Sequence, residues 1–355
     1  MNAKMSPFSS ILVTGGAGFI GSSFVLESVS RGVRVVVLDK LTYAGHPENL
    51  TEVNTGTKKS DLMEFVQGDI GDPALVSKLL KEHSIDALVN FAAESHVDRS
   101  ITGPGEFVET NVKGTYNLLN EATAYWKALP EPRRAGFRFL QISTDEVFGE
   151  LGSEGKFSET TPYAPSSPYS ASKASGDHFA RAWQRTYGLP TLVTNCSNNY
   201  GPRQFPEKLI PFLTLRALRN ETLPVYGKGE NVRDWIHVED HCRGLWLALE
   251  KGKPGDTYCF GGNSERQNIN VVRTICKILD ELKPRPDGRK HETRIEFVAD
   301  RLGHDWRYAI DDSKAGRELG YVKKYRFEEG LRATVKWYLD NPSWIESVMR
   351  KGKKS

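Results

Sequence analysis

Tyr169 and Lys173 stand four residues apart in the run Tyr-Ser-Ala-Ser-Lys. On a helix that spacing puts a phenol and an ammonium on one face. A cation beside a phenol favours the phenolate, so the pair predicts a lowered Tyr169 pKa and a base for a hydroxyl proton near neutral pH. Two adjacent acids, Asp145 and Glu146, follow Thr144 at the end of an apolar run. Paired carboxyl groups can divide the work, the protonated one donating and the ionised one accepting. A third group is the turn Gly15-Gly16-Ala17-Gly18-Phe19-Ile20-Gly21, with Asp39 18 residues beyond its last glycine. Such a turn lets a pyrophosphate approach the backbone at a helix N-terminus, and the acid takes the ribose hydroxyls of NAD. The same carboxylate repels a 2′-phosphate, although Lys40 stands next to it. Plain alternatives are an exposed helix pair, a solvated acidic loop and a strand–turn–helix corner without a ligand. The glycine turn has the right context on both sides, and it draws the other two groups into one functional reading.

These groups act together only if the chain brings them to one place. Strand-like runs lie at 11–14, 33–39, 62–67, 87–91, 137–143 and 191–195, and helical patterns at 19–30, 73–83, 105–127 and 169–187. This alternation predicts an α/β protein with a doubly wound parallel Rossmann sheet, whose ligands sit outside the carboxyl ends of the strands. After Gly201 the pattern becomes mixed and Pro-punctuated, which predicts a smaller mixed α/β C-terminal substrate domain. The expected division is an NAD-binding domain over 1–200 and a substrate domain over 201–236 and 263–355. Residues 237–262 are expected to return to the first domain, because Trp-Ile-His-Val and Thr-Tyr-Cys-Phe read as strands flanking one helix. Residues 56–61 read as a polar loop and 350–355 as a solvated basic tail.

At 355 residues the chain is long for one core, and its 16 Phe, 13 Tyr and 7 Trp exclude a disordered protein. A net charge of +3 gives no general argument for nucleic-acid or membrane-surface binding. No apolar run is long enough to span a bilayer and no signal-like core precedes the first strand, so a cytoplasmic location is expected. Cys196, Cys242, Cys259 and Cys276 form no CxxC pair, which predicts reduced and mostly buried thiols. His237 and His241 have metal-like i, i+4 spacing but no suitably placed acid, so no metal is expected. Glu94-Ser95-His96 lacks a nucleophile elbow, and Asp98-Arg99 reads as a simple ion pair.

The segments ILVTGGAGFIGS, FAAESHVDRSI, ISTDEVFGE, PYSASKA, TNCSNNYGPRQFPEKLIP, NVRDWIHVEDH and GHDWRYAID span residues 11–311. Together they resemble the extended short-chain dehydrogenase/reductase family, in its sugar-nucleotide branch. The resemblance implies 4,6-dehydration of a thymidine-diphosphate glucose with tightly bound NAD that is regenerated each cycle. In that cycle Tyr169 takes the C4 hydroxyl proton while NAD accepts hydride, Thr144 orients the C4 oxygen, and Lys173 supports both. Glu146 then removes the C5 proton, Asp145 protonates the leaving C6 hydroxyl, and hydride returns to C6. Relatives that only epimerise C4 lack the acid pair. A uridine-diphosphate substrate stays open, as do a UDP-sugar epimerase or decarboxylase, since one methyl group on a base is worth only ~1–3 kcal/mol. A dinucleotide sensor without turnover is a further alternative, which the Thr144, Tyr169 and Lys173 set opposes.

The resemblance also implies the remaining contacts. On the cofactor side it places Gly15, Gly18, Phe19, Ile20, Gly21, Asp39, Lys40, Leu41, Thr42, Asp69, Ile70, Ala92, Ala93, Ser95, Thr110 and Asn199, with Tyr169 and Lys173. On the substrate side it places Ser95, His96, Thr144, Asn198, Lys208, Leu209, Pro224, Tyr226, Arg233, Asn268, Arg301, His304 and Tyr308. It implies a homodimer whose helices at 105–127 and 169–187 pair as a four-helix bundle. Phe148, His237, Leu302 and Trp306 depart from the expected pattern; all four leave the reaction type intact, and Leu302 and Trp306 bear on base selectivity.

Overall fold

Short β-branched runs fold as strands that are buried on both faces. The computed structural model describes residues 6–54, 60–300 and 305–351. In chain order the strands are β1 (Ser10–Thr14), β2 (Arg34–Asp39), β3 (Met63–Gln67), β4 (Ala87–Asn90), β5 (Arg138–Thr144), β6 (Thr191–Cys196), β7 (Asn198–Tyr200), β8 (Leu223–Tyr226), β9 (Val232–His237), β10 (Thr257–Phe260), β11 (Glu265–Gln267) and β12 (Ile295–Val298). Seven of them form one sheet in the order β10-β6-β5-β4-β1-β2-β3, with every pairing parallel. Apolar clusters cover both faces, one under the Phe19–Ser30 and Val238–Lys251 helices and one under the Pro73–Glu82 and Thr115–Ala128 helices. This is the doubly wound architecture expected of the alternating pattern.

Local signals set the helix ends. Asp72 caps the Pro73–Glu82 helix by accepting from Leu75 N at 3.0 Å, with Pro73 in the first turn. Ser167 and Ser170 form a reciprocal capping box at the start of the Pro168–Tyr187 helix. The helical segment at 105–127 is not uniform, as its period alone suggested. A wide π turn at Val108–Gly114 joins a short helix at Gly105–Phe107 to the Thr115–Ala128 helix. The turn ends in close packing: a Cβ on Gly114 would lie 2.5 Å from Ile70 Cδ1. The wide turn also lets Asn111 donate to Glu94 O at 3.0 Å and to Ser172 Oγ at 2.8 Å.

The segment after residue 200 divides its strands between layers. β10 is the edge strand of the large sheet, but β9 is not part of it. Instead β9 pairs with β7 and β11 in a three-stranded sheet, and β8 with β12 in a parallel two-stranded one. The Trp-Ile-His-Val strand therefore does not flank its helix within the main sheet. Its register follows β7, which leaves the large sheet directly after β6. The intervening Val238–Lys251 helix lies on the Phe19–Ser30 helix, where Trp246 stacks on Phe24 with ring centroids 5.2 Å apart. Such a pair contributes about 0.5–1.5 kcal/mol beyond the area it buries. A third core fills the space between the Leu209–Leu218, Asn268–Leu282 and Phe327–Asp340 helices.

Candidate active site

The first glycine of the turn is required by its backbone. Gly15 has φ +67°, and a Cβ there would lie 2.6 Å from Ala92 N. The turn therefore presses against the segment that leaves β4. A Cβ on Gly21 would lie 2.3 Å from Gly15 O, which explains the glycine inside the helix. No side chain caps the Phe19–Ser30 helix, whose first turn lines the cleft. That leaves a positive helix end for an anion. Asp39, buried at the end of β2, accepts from Ala17 N at 2.9 Å and from Leu41 N at 2.8 Å. Burial raises its pKa against the pull of these two bonds. Lys40 pairs with Asp69 at 2.8 Å, so its charge is matched inside the protein.

The carboxyl end of β5 carries the acids. Thr144 caps the short turn at Asp145–Phe148, accepting from Glu146 N at 3.3 Å and donating to Asp145 Oδ1 at 3.2 Å. Asp145 is 2% exposed, and its Oδ2 has no hydrogen-bond partner among the described residues. Burial, then the charges of Glu146 and Asp234, push its pKa well above the usual carboxylate range. These influences favour the protonated form of Asp145, the form that can donate. Glu146 is half-buried and also lines the cleft. Two adjacent carboxyl groups therefore stand in unlike environments.

The Pro168–Tyr187 helix presents Tyr169 and Lys173 to the same cleft, both of them buried. Lys173 Nζ donates to Ile142 O at 2.7 Å, which fixes the ammonium to the backbone of β5. The expected fall in the Tyr169 pKa is not found. Burial raises it well above the ordinary phenol value, and Glu146, Cys196 and Asp145 add to the rise, while a hydrogen bond with Thr144 opposes it. Spacing alone revealed the cation on the next turn, but not the acids facing the phenol.

The cleft gathers most of the expected cofactor-side residues: Gly15, Gly18, Phe19, Ile20, Gly21, Asp39, Lys40, Thr42, Asp69, Ile70, Ala92, Ala93, Ser95, Thr110 and Asn199, with Tyr169 and Lys173. Leu41 does not line it; its backbone is left-handed at φ +59°, and its N–H is spent on Asp39. Thr144, Asn198 and Lys208 also line the cleft, and Lys208 Nζ reaches Ser95 O at 3.3 Å. His96, Leu209, Pro224, Tyr226, Arg233, Asn268 and Tyr308 do not. His96 caps the Val97–Thr102 helix, with its Nε2 3.6 Å from Glu207. Arg233 donates to the carbonyls of Val232, Asp305 and Trp306, and its guanidinium lies 4.4 Å from the Tyr308 ring centroid. Arg301, Leu302 and His304 lie outside the described residues.

The remaining departures have local explanations. Phe148 stacks on Phe157 at 5.1 Å and meets Tyr163 edge-on at 5.2 Å, a site that needs no hydroxyl. His237 stacks on Tyr325 at 3.8 Å, and burial lowers its pKa to about 4. His241 faces Asn199 Oδ1 at 3.0 Å, and burial lowers its pKa to about 3. The two imidazoles are thus neutral and engaged with different neighbours. Arg99 lies 3.8 Å above the Tyr43 ring, a cation–π contact. Trp306 is largely exposed. All four cysteines are free and buried.

Sequence reasoning missed Glu94, Cys196, Gln204, Phe205 and Glu207, which line the cleft, and the fully buried Asp177 behind it. Asp177 carried a signal, since it continues the spacing of Tyr169 and Lys173 by one more turn. Cys196 ends β6, and the others come from loops whose path no periodicity reveals.

The GDP-mannose 4,6 dehydratase family model matches residues 12–334. The dTDP-glucose 4,6-dehydratase of Xanthomonas campestris pv. campestris (strain B100) is 60% identical over 338 residues, 95% of each chain. That of Escherichia coli is 54% identical over 351 residues, 96% of each. Among solved structures, the dTDP-glucose 4,6-dehydratase of Streptomyces venezuelae with NAD bound has a TM-score of 0.85 at 44% identity, covering 96% of this chain and 99% of that one. The UDP-glucose 4-epimerase of Thermotoga maritima has a TM-score of 0.82 at 29% identity, covering 94% and 99%. With that identity held over nearly its whole length, the chain belongs to the dTDP-glucose 4,6-dehydratase family.

Proposed function

We propose that this protein dehydrates dTDP-glucose to dTDP-4-keto-6-deoxyglucose, using NAD that it retains through the cycle. The observation that carries this reading is the acid pair: a buried Asp145, whose surroundings favour its protonated form, beside a half-buried Glu146, in the cleft that holds Tyr169. Epimerisation at C4 needs no acid to expel a C6 hydroxyl, so the pair favours dehydration over the epimerase chemistry named for the Thermotoga maritima structure.

The residues present suit the cofactor. The uncapped helix end receives its pyrophosphate, buried Asp39 its adenosine ribose, and Lys173 its nicotinamide ribose. Because Asp69 neutralises Lys40, Asp39 keeps its preference for a ribose without a 2′-phosphate. When bound, NAD supplies a two-electron acceptor at C4 that is restored at C6 in the same turnover. Tyr169 takes the C4 hydroxyl proton, and Thr144 holds the C4 oxygen. The resulting ketone acidifies C5, where Glu146 removes the proton. Asp145 gives its proton to the C6 hydroxyl, and water leaves. Ser95, Asn198 and Lys208 contact the nucleotide sugar within the cleft, while Arg233, Asn268, Tyr226 and Tyr308 approach it from the second domain. We divide the chain accordingly, with 1–200 and 237–262 holding the cofactor and 201–236 and 263–355 the substrate; β10 as a strand of the large sheet supports this.

The protein is proposed to act as a homodimer in the cytoplasm. Val108, Tyr116 and Tyr187 are about half exposed on the two helical segments, and Trp183 joins Tyr116, Phe179 and Tyr187 in one aromatic row with centroids 5.3–5.9 Å apart. A second copy of this face would complete a four-helix bundle. Free, buried thiols suit a reducing compartment. Among the described residues no helix is long and apolar enough to cross a membrane.

The deciding experiment uses dTDP-glucose deuterated at C4, with no NAD added. Loss of water with deuterium recovered at C6 is the expected result, and unchanged sugar would overturn the reading. In the same assay Tyr169→Phe should lose at least about 10²-fold in kcat, and Glu146→Gln should stall after C4 oxidation; normal turnover by Glu146→Gln would remove it as the base.

Asp145 also makes stability depend on pH. Its raised folded pKa favours the folded state at low pH, and that contribution is lost as pH rises from the unfolded value of 3.8 through the folded one. Each unit of elevation costs about 1.4 kcal/mol above both values. Asp145→Asn should therefore be more resistant to urea than the parent at pH 7, with the difference shrinking near pH 4, while its turnover falls.

Sedimentation at micromolar concentration should show a dimer, with Tyr116→Glu shifted toward monomer. A monomeric parent would refute the bundle.

A further inference from the structure

Behind the proposed catalytic residues lies a charged group that the reaction as described does not use. Asp177 is fully buried, one helical turn beyond Lys173 and two beyond Tyr169. Its Oδ2 accepts from Ser143 Oγ at 2.7 Å, from Tyr163 Oη at 2.8 Å and from Asn195 Nδ2 at 3.4 Å. Ser143 is the residue before Thr144 on β5. Asn195 lies on β6 and also donates to Thr144 O at 3.0 Å. One carboxylate oxygen thus joins the last turns of two strands to the helix that carries the phenol and the ammonium. Tyr163 is held in turn by Arg181, which donates to its hydroxyl at 2.8 Å.

We propose that Asp177 is a positioning residue for the dehydration: its buried carboxylate is the counter-charge of Lys173 and pins the ends of β5 and β6 from which Thr144 acts. A buried ammonium loses its proton unless a negative group balances it. Lys173 shows both influences, since burial lowers its pKa while Asp177 and then Cys196 raise it. The groups facing the carboxylate are Lys173 and Arg181 on its own helix, Ser143 from β5, Asn195 from β6 and Tyr163 from the loop before the helix. Donation from the serine and the tyrosine, together with the two cations, opposes the rise that burial imposes on the Asp177 pKa. The carboxylate oxygen Oδ1 has no hydrogen-bond partner among the described residues, so ligation of the strands rests on Oδ2 alone.

This inference rests on the reading of Tyr169 and Lys173 as the oxidation machinery, and the experiment separates the two. Asp177→Asn keeps the size and one oxygen while removing the charge. The expected result is a kcat about tenfold lower with KM within about threefold and retained cofactor. The alkaline limb of the kcat–pH profile should also move down by about one unit, because Lys173 loses its proton more readily. A folded Asp177→Asn protein with the parent's alkaline limb overturns the proposal, even if its thermal stability has fallen. Tyr163→Phe supplies an independent arm, needed above all if Asp177→Asn does not fold. It removes a donor to the carboxylate, so Asp177 takes up a proton more readily and the acid limb of kcat should move to higher pH. An unmoved acid limb in that variant also overturns the proposal. Lys173→Met with the parent's kcat would instead refute the reading of the oxidation machinery.

Discussion

The pairing of β5 with β6 is the constraint on which the site depends. Ser143 lies opposite Asn195 and Thr144 opposite Cys196. Thr144, Asp145 and Glu146 leave the end of one strand, and Ser197, Asn198 and Asn199 follow the end of the other. Lys173 is tied to the same edge through Ile142 O. A slip of one residue in this register would turn each side chain to the opposite face. The sheet is buried on both sides, so such a slip would force both cores to repack around side chains of the wrong shape and is disfavoured. Precision at the site thus follows from the hydrophobic cores that lie against the two faces of the sheet.

The same burial sets the charge states. Water is excluded around Asp145, Tyr169, Lys173 and Asp177, and in each case burial favours the neutral form. The outcome differs because the neighbours differ. Asp145 meets two further acids, which favour its protonated form. Lys173 lies one turn from a carboxyl group that supports its charge. Tyr169 faces the acids, so its protonated form is favoured as well.

Much of this was legible in the sequence. Strand runs such as Arg-Val-Val-Val-Leu-Asp are buried on both faces, so they read as continuous apolar segments. The glycine turn is fixed by backbone contacts that only glycine tolerates, and a residue type dictated by backbone geometry is visible without a structure. Two things were hidden. The π turn at Val108–Gly114 packs through Gly114 on Ile70, some forty residues away in the chain, and periodicity is blind to that contact. The sign of the Tyr169 shift depends on acids carried by a different strand. Propensity and spacing describe neighbours along the chain, whereas both of these effects arise between elements.

The cleft is lined mainly by the first 200 residues, and the segment that follows reaches it through Gln204, Phe205, Glu207 and Lys208. This raises the question of how Arg233 can serve a diphosphate while it is bonded to three carbonyls. A guanidinium has five N–H donors. Nη1 contacts Val232 O and Trp306 O, and Nη2 contacts Asp305 O, which leaves two donors over. The carbonyls and the Tyr308 ring fix the plane of the group without consuming it. A fork held in one plane loses less entropy on meeting a phosphate than one that is free to rotate. The buried contacts of Arg233 are therefore compatible with the proposed substrate role, and they orient the guanidinium before any ligand arrives.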